Sequence, residues 1–333
     1  MTSVSAADGP PSYSRRRFLR QFAGAGALAA TGLDAFAAQR PPLSPPTMAG
    51  AFRFAFVTDL HLMKEAYYRS EAGIAQCLDA VEKLTPRPEF ILAGGDLVNR
   101  ARDMTIREAE QKLDRFLSIW KNHTSLSARW TFGNHDLVGT SNPAVSSSDR
   151  YYAKGLFRER FQLPHLFYSF NWKGWHFIVL DDIALQPDRT YIGQLFDDEL
   201  AFIKADLDAH RAMPAIICTH IPTMSAMPLG LLYLAHIAAT FQIPSDKDLI
   251  CTNAGLLFDN FPGHNVRAVL SGHLHHLEKI NFNGVHFITC GAVCGNYWKG
   301  PFLGYPEGFG VVDLGADGSV AFDYRTYGWK AVS

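Results

Sequence analysis

The sequence predicts a layered α/β domain, and three observations carry that reading. Short apolar runs rich in β-branched and aromatic residues recur along the chain, bounded by Gly, Asp or Asn. Segments with helical periodicity separate them. Polar residues collect where the apolar runs end.

The runs that read as strands are residues 52–58 (FRFAFVT), 89–93 (EFILA), 128–132 (ARWTF), 176–180 (HFIVL), 215–219 (AIICT), 266–270 (VRAVL) and 285–289 (VHFIT). Helical patterns cover 71–84, with Ile74, Leu78 and Val81 on one face, then 106–120 and 194–210. The tail (GFGVVDLGADGSVAFDYRTYGW) alternates around Ala316-Asp317-Gly318, a hairpin signal that predicts edge strands on a second sheet. The chain shows no internal repeat and no linker to a second domain.

The N-terminus reads as a targeting segment. Ser14-Arg15-Arg16-Arg17-Phe18-Leu19-Arg20 precedes a mildly apolar Ala/Gly-rich stretch, and Ala35-Phe36-Ala37 is a small-x-small cleavage site. The pattern is similar to a twin-arginine (Tat) export signal. The expected organisation is a signal peptide at 1–38, a Pro-rich linker at 39–50 and one domain over 51–333. Periplasmic or secreted localisation follows, with the Tat translocase as a transient partner and no stable membrane span.

Net charge is −1, so nothing in the bulk favours nucleic acid or an anionic membrane surface. The five cysteines are widely spaced apart from Cys290 and Cys294, which argues for buried thiols and leaves room for one bridge. Residues 221–243 are apolar but broken by Pro222 and Pro228. They read either as a cover over a site or as a core helix with a loop.

The chemistry lies at the strand ends. Thr58-Asp59-Leu60-His61 follows the first run, Gly94-Gly95-Asp96 the second and Gly133-Asn134-His135-Asp136 the third. His220 ends AIICT, and Gly272-His273-Leu274-His275 ends VRAVL. In open α/β sheets ligands bind outside the carboxyl ends of strands. Asp59 and His61 are two apart, so in extended chain both point the same way, and His273 and His275 repeat the spacing. Carboxylate, carboxamide and imidazole together suit Zn, Mn or Fe better than Mg or Ca. The set exceeds one tetrahedral ion and suits two ions sharing a carboxylate, with Asp96 as the natural bridge.

The series D-x-H, G-D, G-N-H-D, H, G-H-x-H resembles the calcineurin-like metallophosphoesterases from Phe52 to about Val293. The resemblance implies a four-layer α/β/β/α sandwich of two mixed sheets. It implies one metal at Asp59, His61, Asp96 and His275, and a second at Asp96, Asn134, His220 and His273. It also implies hydrolysis of a small phosphoester, a diester or a monoester, by water activated between the ions. His135 matches the family's catalytic histidine, and Asp136 is positioned in sequence to hold its imidazole.

Purple acid phosphatases carry a tyrosine where this chain has Asn99, so no tyrosinate–iron colour is expected. Arg100 reads as a phosphate contact, similar to Ser/Thr protein phosphatases, or as a surface arginine. Tyr297 and Trp298 read as a stacking platform for a nucleobase or aryl group, or as loop packing. The arrangement is most similar to bacterial cyclic-nucleotide phosphodiesterases. Two other functions compete: a pyrophosphatase acting on nucleotide-sugar or lipid anhydrides, and a metal-binding protein without turnover.

Overall fold

The apolar runs become strands of two facing sheets in the computed structural model, which describes residues 50–227 and 248–332. The signal at 1–38, nearly all of the linker at 39–50 and most of 221–243 lie outside the described residues.

The first sheet runs β13 (Val320–Thr326), β12 (Gly308–Leu314), β1 (Phe52–Val57), β2 (Phe90–Ala93), β3 (Ser127–Trp130). Its β1, β2 and β3 are parallel, and β12 and β13 are antiparallel. The second runs β10 (Glu278–Phe282), β11 (Val285–Thr289), β9 (Val266–Ser271), β8 (Ala215–Cys218), β5 (Trp175–Val179), β4 (Tyr168–Trp172). Its four inner strands are parallel and its edges antiparallel. A separate hairpin pairs β6 (Ile183–Leu185) with β7 (Tyr191–Gly193).

Aromatic packing joins the sheets. Phe54, Phe56 and Phe90 of the first meet Trp175, Phe177 and Val179 of the second. Phe54 stacks on Phe90 at 5.1 Å, and Phe177 meets Phe54 edge-on at 5.6 Å. Helices α1 (Ser70–Glu82) and α2 (Ile106–His123) cover the outer face of the first sheet. Ile74, Leu78 and Val81 face inward from α1, as the period requires, and Leu113 and Phe116 from α2. A capping box of Thr105 and Glu108 starts α2. A short helix, α3 (Gly155–Arg160), buries Leu156 and Phe157 in the same core. Helices α4 (Asp197–Ala209) and α5 (Ala254–Phe258) cover the outer face of the second sheet through Ile203, Leu207 and Leu257. The order of layers is α/β/β/α.

Two expectations change. The tail forms two strands, but they join the first sheet, where β12 pairs with β1 from Phe52↔Leu314 to Phe56↔Gly310. A hydrophobic β1 left as an edge would expose unpaired backbone groups, and β12 covers them. Helix α4 begins at Asp197 rather than Gln194, because Phe196 before it is extended, with φ −90° and ψ 158°, and serves as the N-cap. Gln194 N–H donates to the Asp182 carbonyl at 2.9 Å, and Leu195 N–H to Asn253 Oδ1 at 2.9 Å. All five cysteines are buried and free. No described helix is long and apolar enough to cross a membrane.

Candidate metal centre

The residues singled out at the strand ends converge where the carboxyl ends of the two sheets meet. Asp59, His61, Asp96 and Asn134 follow β1, β2 and β3 of the first sheet, and His220, His273 and His275 follow β8 and β9 of the second. Asp96 Oδ2 lies 3.4 Å from His61 Nε2 and 3.3 Å from His220 Nε2. On one side, His275 Nε2 is 3.1 Å from His61 Nε2 and 3.3 Å from Asp59 Oδ1. On the other, Asn134 Oδ1 is 3.0 Å from His220 Nε2 and 2.9 Å from His273 Nδ1. The clusters that could hold an ion include His61, Asp96 and His135 on one side and Asp96, His220 and His273 on the other, so Asp96 belongs to both.

The backbone reaches this arrangement by a route other than the extended chain expected from the spacing. Asp59, His61, Asp96, His273 and His275 all have positive φ, between 43° and 70°. Non-glycine residues seldom adopt that region, and such strain concentrates at functional sites. Hydrogen bonds hold the turns: His61 N–H donates to the Asp96 carbonyl at 2.9 Å, and Cys294 N–H to the Asp59 carbonyl at 3.1 Å. Gly272 is required by close approach. A Cβ there would sit 2.1 Å from Thr58 Oγ1 and 2.5 Å from Asp59 Oδ2.

The donor set fits cations. Three imidazoles give their outer nitrogen to a backbone carbonyl: His220 Nδ1 to Gly94 at 2.8 Å, His275 Nδ1 to Gly295 at 2.6 Å and His273 Nε2 to Asp248 at 2.6 Å. That fixes the tautomers and leaves the inner nitrogens as bare lone pairs. Around Asn134 Oδ1 these lone pairs face other acceptors. Burial opposes charge on His220, yet the carboxylates of Asp96 and Asp59 push it up to about 10. The pocket therefore calls for positive charge, from protons or from metal.

The family model for calcineurin-like phosphoesterases matches residues 52–277. The chain belongs to that family. Membership makes it a metallophosphoesterase, a phosphoester hydrolase by class. Metallophosphoesterase 1 of Ailuropoda melanoleuca is 23% identical over 162 residues, 47% of this chain and 39% of that protein. The chain thus spans under half the length of that relative. The 3',5'-cyclic adenosine monophosphate phosphodiesterase CpdA of Haemophilus influenzae is 22% identical over 280 residues, 81% of this chain and 88% of that protein. A dimetal phosphatase from Danio rerio shares the fold, with a TM-score of 0.57 and 15% identity over 83% of this chain and 96% of that one.

The other residues singled out in this metallophosphoesterase fare unequally. His135 stands beside the cluster, its ring 4.6 Å from that of His61. Its Nδ1 accepts the Arg100 N–H at 3.2 Å, so a neutral ring carries its proton on Nε2. Burial pushes His135 down to about 3, against the pull of Asp96. Asp136 does not hold that ring. Its carboxylate accepts the N–H groups of Leu97, Val98 and Gly133 at 3.0–3.2 Å, which ties the Gly133–Asp136 turn to the segment after Asp96.

Arg100 contributes its backbone, while its exposed guanidinium donates to Asp103 at 2.5 Å. Trp298 is buried under the cluster, 1% exposed, and donates Nε1–H to the His61 carbonyl at 3.0 Å. It packs against Gly73 of α1, where a Cβ would lie 2.0 Å from the indole. It is a floor, not a stacking platform. Tyr297 lies against the histidine cluster, with ring centroids 4.8 Å from both His61 and His275.

The sequence reading missed several supports. Asp182, fully buried after β5, accepts N–H groups of His220 at 3.3 Å and Ile221 at 2.9 Å. The strand-end rule applied to the run before Asp181-Asp182 would have found it. The Asp248 carbonyl, which accepts the His273 Nε2–H at 2.6 Å, carried no sequence signal.

Proposed function

We propose that this protein is an exported dinuclear-metal hydrolase of small phosphoesters. The observation that carries the reading is the ring of inward-facing acceptors on Asp96, Asn134, His220 and His273, joined through Asp96 to Asp59, His61 and His275. Asp59, His61, Asp96 and His275 would hold one ion, and Asp96, Asn134, His220 and His273 the other. Bound there, two ions such as Mn, Fe or Zn supply an acidified water as nucleophile and neutralise charge on the phosphoryl oxygens.

The chain's own groups do the rest. Asp59, Asp96 and the imidazoles order the reacting edge before substrate arrives. His135, with Nδ1 accepting the Arg100 N–H, is a hydrogen-bond donor through Nε2–H and can stabilise charge on the departing oxygen. Tyr297 narrows the mouth beside His61 and His275.

Phosphodiesters are the first class to test, since the Haemophilus relative is a cyclic nucleotide phosphodiesterase. Purified residues 51–333 loaded with Mn²⁺ should hydrolyse bis(p-nitrophenyl) phosphate faster than p-nitrophenyl phosphate. The reverse order would make it a monoesterase. No hydrolysis of either with two ions bound would end the enzymatic reading.

Export through the Tat translocase is supported by Arg15-Arg16 with Phe18-Leu19 and by Ala35-Phe36-Ala37. Cell fractionation should find the native chain outside the cytoplasm and the Arg15→Lys/Arg16→Lys variant inside it. Equal export of both would remove the Tat assignment.

A further inference from the structure

Strands β5 and β8 pair in parallel from His176↔Ala215 to Val179↔Cys218, and Leu180 N–H donates to the Cys218 carbonyl at 2.9 Å where the ladder ends. Beyond that bond the two chains part. One turns into the β6–β7 hairpin, and the other carries His220 into the centre. The parting takes two buried residues, His220 and Ile221, off the ladder. A buried N–H needs an acceptor, and the Asp182 carboxylate supplies one oxygen to each. Its Oδ1 accepts the His220 N–H at 3.3 Å, and its Oδ2 accepts the Ile221 N–H at 2.9 Å.

Asp182 is itself anchored. Its carbonyl accepts the Gln194 N–H at 2.9 Å. The neighbouring Asp181 accepts Lys154 Nζ–H on both carboxylate oxygens, at 2.8 and 2.7 Å, and donates its N–H to Glu199 Oε1 at 2.6 Å. Lys154 follows Ala153, whose N–H donates to the Val138 carbonyl at 2.8 Å, just past the Gly133–Asp136 turn. Two consecutive carboxylates therefore reach the segments that bear Asn134 and His220, one from each sheet.

The Gly94 carbonyl fixes the outer nitrogen of His220, which sets the tautomer but not the place of the backbone. Asp182 sets the backbone. The effect carries further, because the His220 carbonyl accepts the Gly272 N–H at 3.0 Å, one residue before His273. We propose that Asp182 is a positioning residue for the second ion, holding the His220 turn so that Nε2 faces Asn134 and Asp96 before a cation arrives. This role rests on the two-ion reading above and extends it to a residue outside the ligand set. Groups that orient metal ligands in this way typically change affinity by about 10–100-fold when removed.

The test compares the purified protein with its Asp182→Asn variant, which keeps the shape but leaves one oxygen for two amides and turns an NH₂ toward the other. Each apo protein is titrated with Mn²⁺ alone. Stoichiometry is read by elemental analysis, and electron paramagnetic resonance separates isolated from spin-coupled ions. The variant should take the first ion as wild type does and the second about 10–100-fold more weakly. Two ions taken with wild-type affinities would overturn the role of Asp182 and leave the dinuclear reading intact. Equal weakening of both ions would also overturn it, because the substitution would then act on the fold. A second measurement needs no variant. In metal-free wild type, nuclear magnetic resonance should find the His220 and Ile221 amides exchanging with solvent as slowly as that of Leu180. Fast exchange at His220 and Ile221 until metal is added would overturn the role even if Asp182→Asn fails to fold. A wild-type protein that binds one ion would instead sink the dinuclear reading itself.

Discussion

His220 Nε2 and Asn134 Oδ1 stand 3.0 Å apart, and neither has a proton to share when the ring is neutral. The other nitrogen of His220 already donates to the Gly94 carbonyl. A cation between them turns repulsion into attraction. Stripping metal with a chelator should therefore lower the melting temperature, and added Mn²⁺ should restore it. Saturation at about 100 times the dissociation constant corresponds to about 2.7 kcal/mol of stabilisation. Identical melting with and without metal would argue against tight sites here.

Asp96 is the carboxylate shared by both halves. Asp96→Asn should cost both ions and nearly all turnover, since one oxygen serves His61 and His220 sides alike. Elemental analysis that still finds two ions per chain would dismiss Asp96 as the bridge.

His135 is poised as a neutral donor. Its Nδ1 accepts the Arg100 N–H, and burial pushes the ring down to about 3. His135→Ala should lower kcat by about 10²-fold or more. Because the ring titrates far below its usual range, kcat of the native enzyme should not fall steeply as pH rises through about 6.5. Such a fall would point to a protonated imidazolium as the working form.

Trp298 supports the loop beneath His61. Its burial and its bond to the His61 carbonyl predict that Trp298→Ala lowers unfolding free energy by about 3–5 kcal/mol. Denaturant unfolding measures this directly. A stable variant with only a raised KM would restore the stacking role that its burial argues against.

Glu199 lies in the first turn of α4, fully buried, with its oxygens accepting N–H groups of Asp181 and Phe196. Burial, reinforced by the Asp181 carboxylate, pushes it up to about 9 from 4.5. The folded state thus keeps a proton that the unfolded chain releases. That contribution to stability is complete below pH 4.5 and is lost as pH rises toward 9. Glu199→Gln should flatten the melting temperature against pH over this window. An unchanged slope would show that Glu199 does not drive it.

The parts of this molecule that sequence exposed are those with local signatures. Buried strands such as Ala215–Cys218 are short apolar runs, and the polar residues just past them fall at the carboxyl edge by the geometry of parallel sheets. Ile74, Leu78 and Val81 mark α1 by their period. What stayed hidden depends on distant partners. Asp136 follows His135 in the chain, but the backbone of Leu97 and Val98 claims its carboxylate. Trp298 follows Tyr297, yet two successive left-handed residues send one ring under the cluster and set the other against the imidazoles. The β6–β7 hairpin has three-residue strands, too short for an alternating pattern to show. The tail declared its hairpin, but no local feature could say that β1 would be its neighbour.

The residues proposed as ligands come from both sheets: Asp59, His61, Asp96 and Asn134 from one, His220, His273 and His275 from the other. An ion held in either half would therefore clasp the sandwich at its open rim. Loading and the final closure of the two sheets would then be one linked equilibrium. Scarcity of metal would be felt first as a gaping rim, with amide exchange quickening at Thr58 and Ser271 together, before any helix lets go.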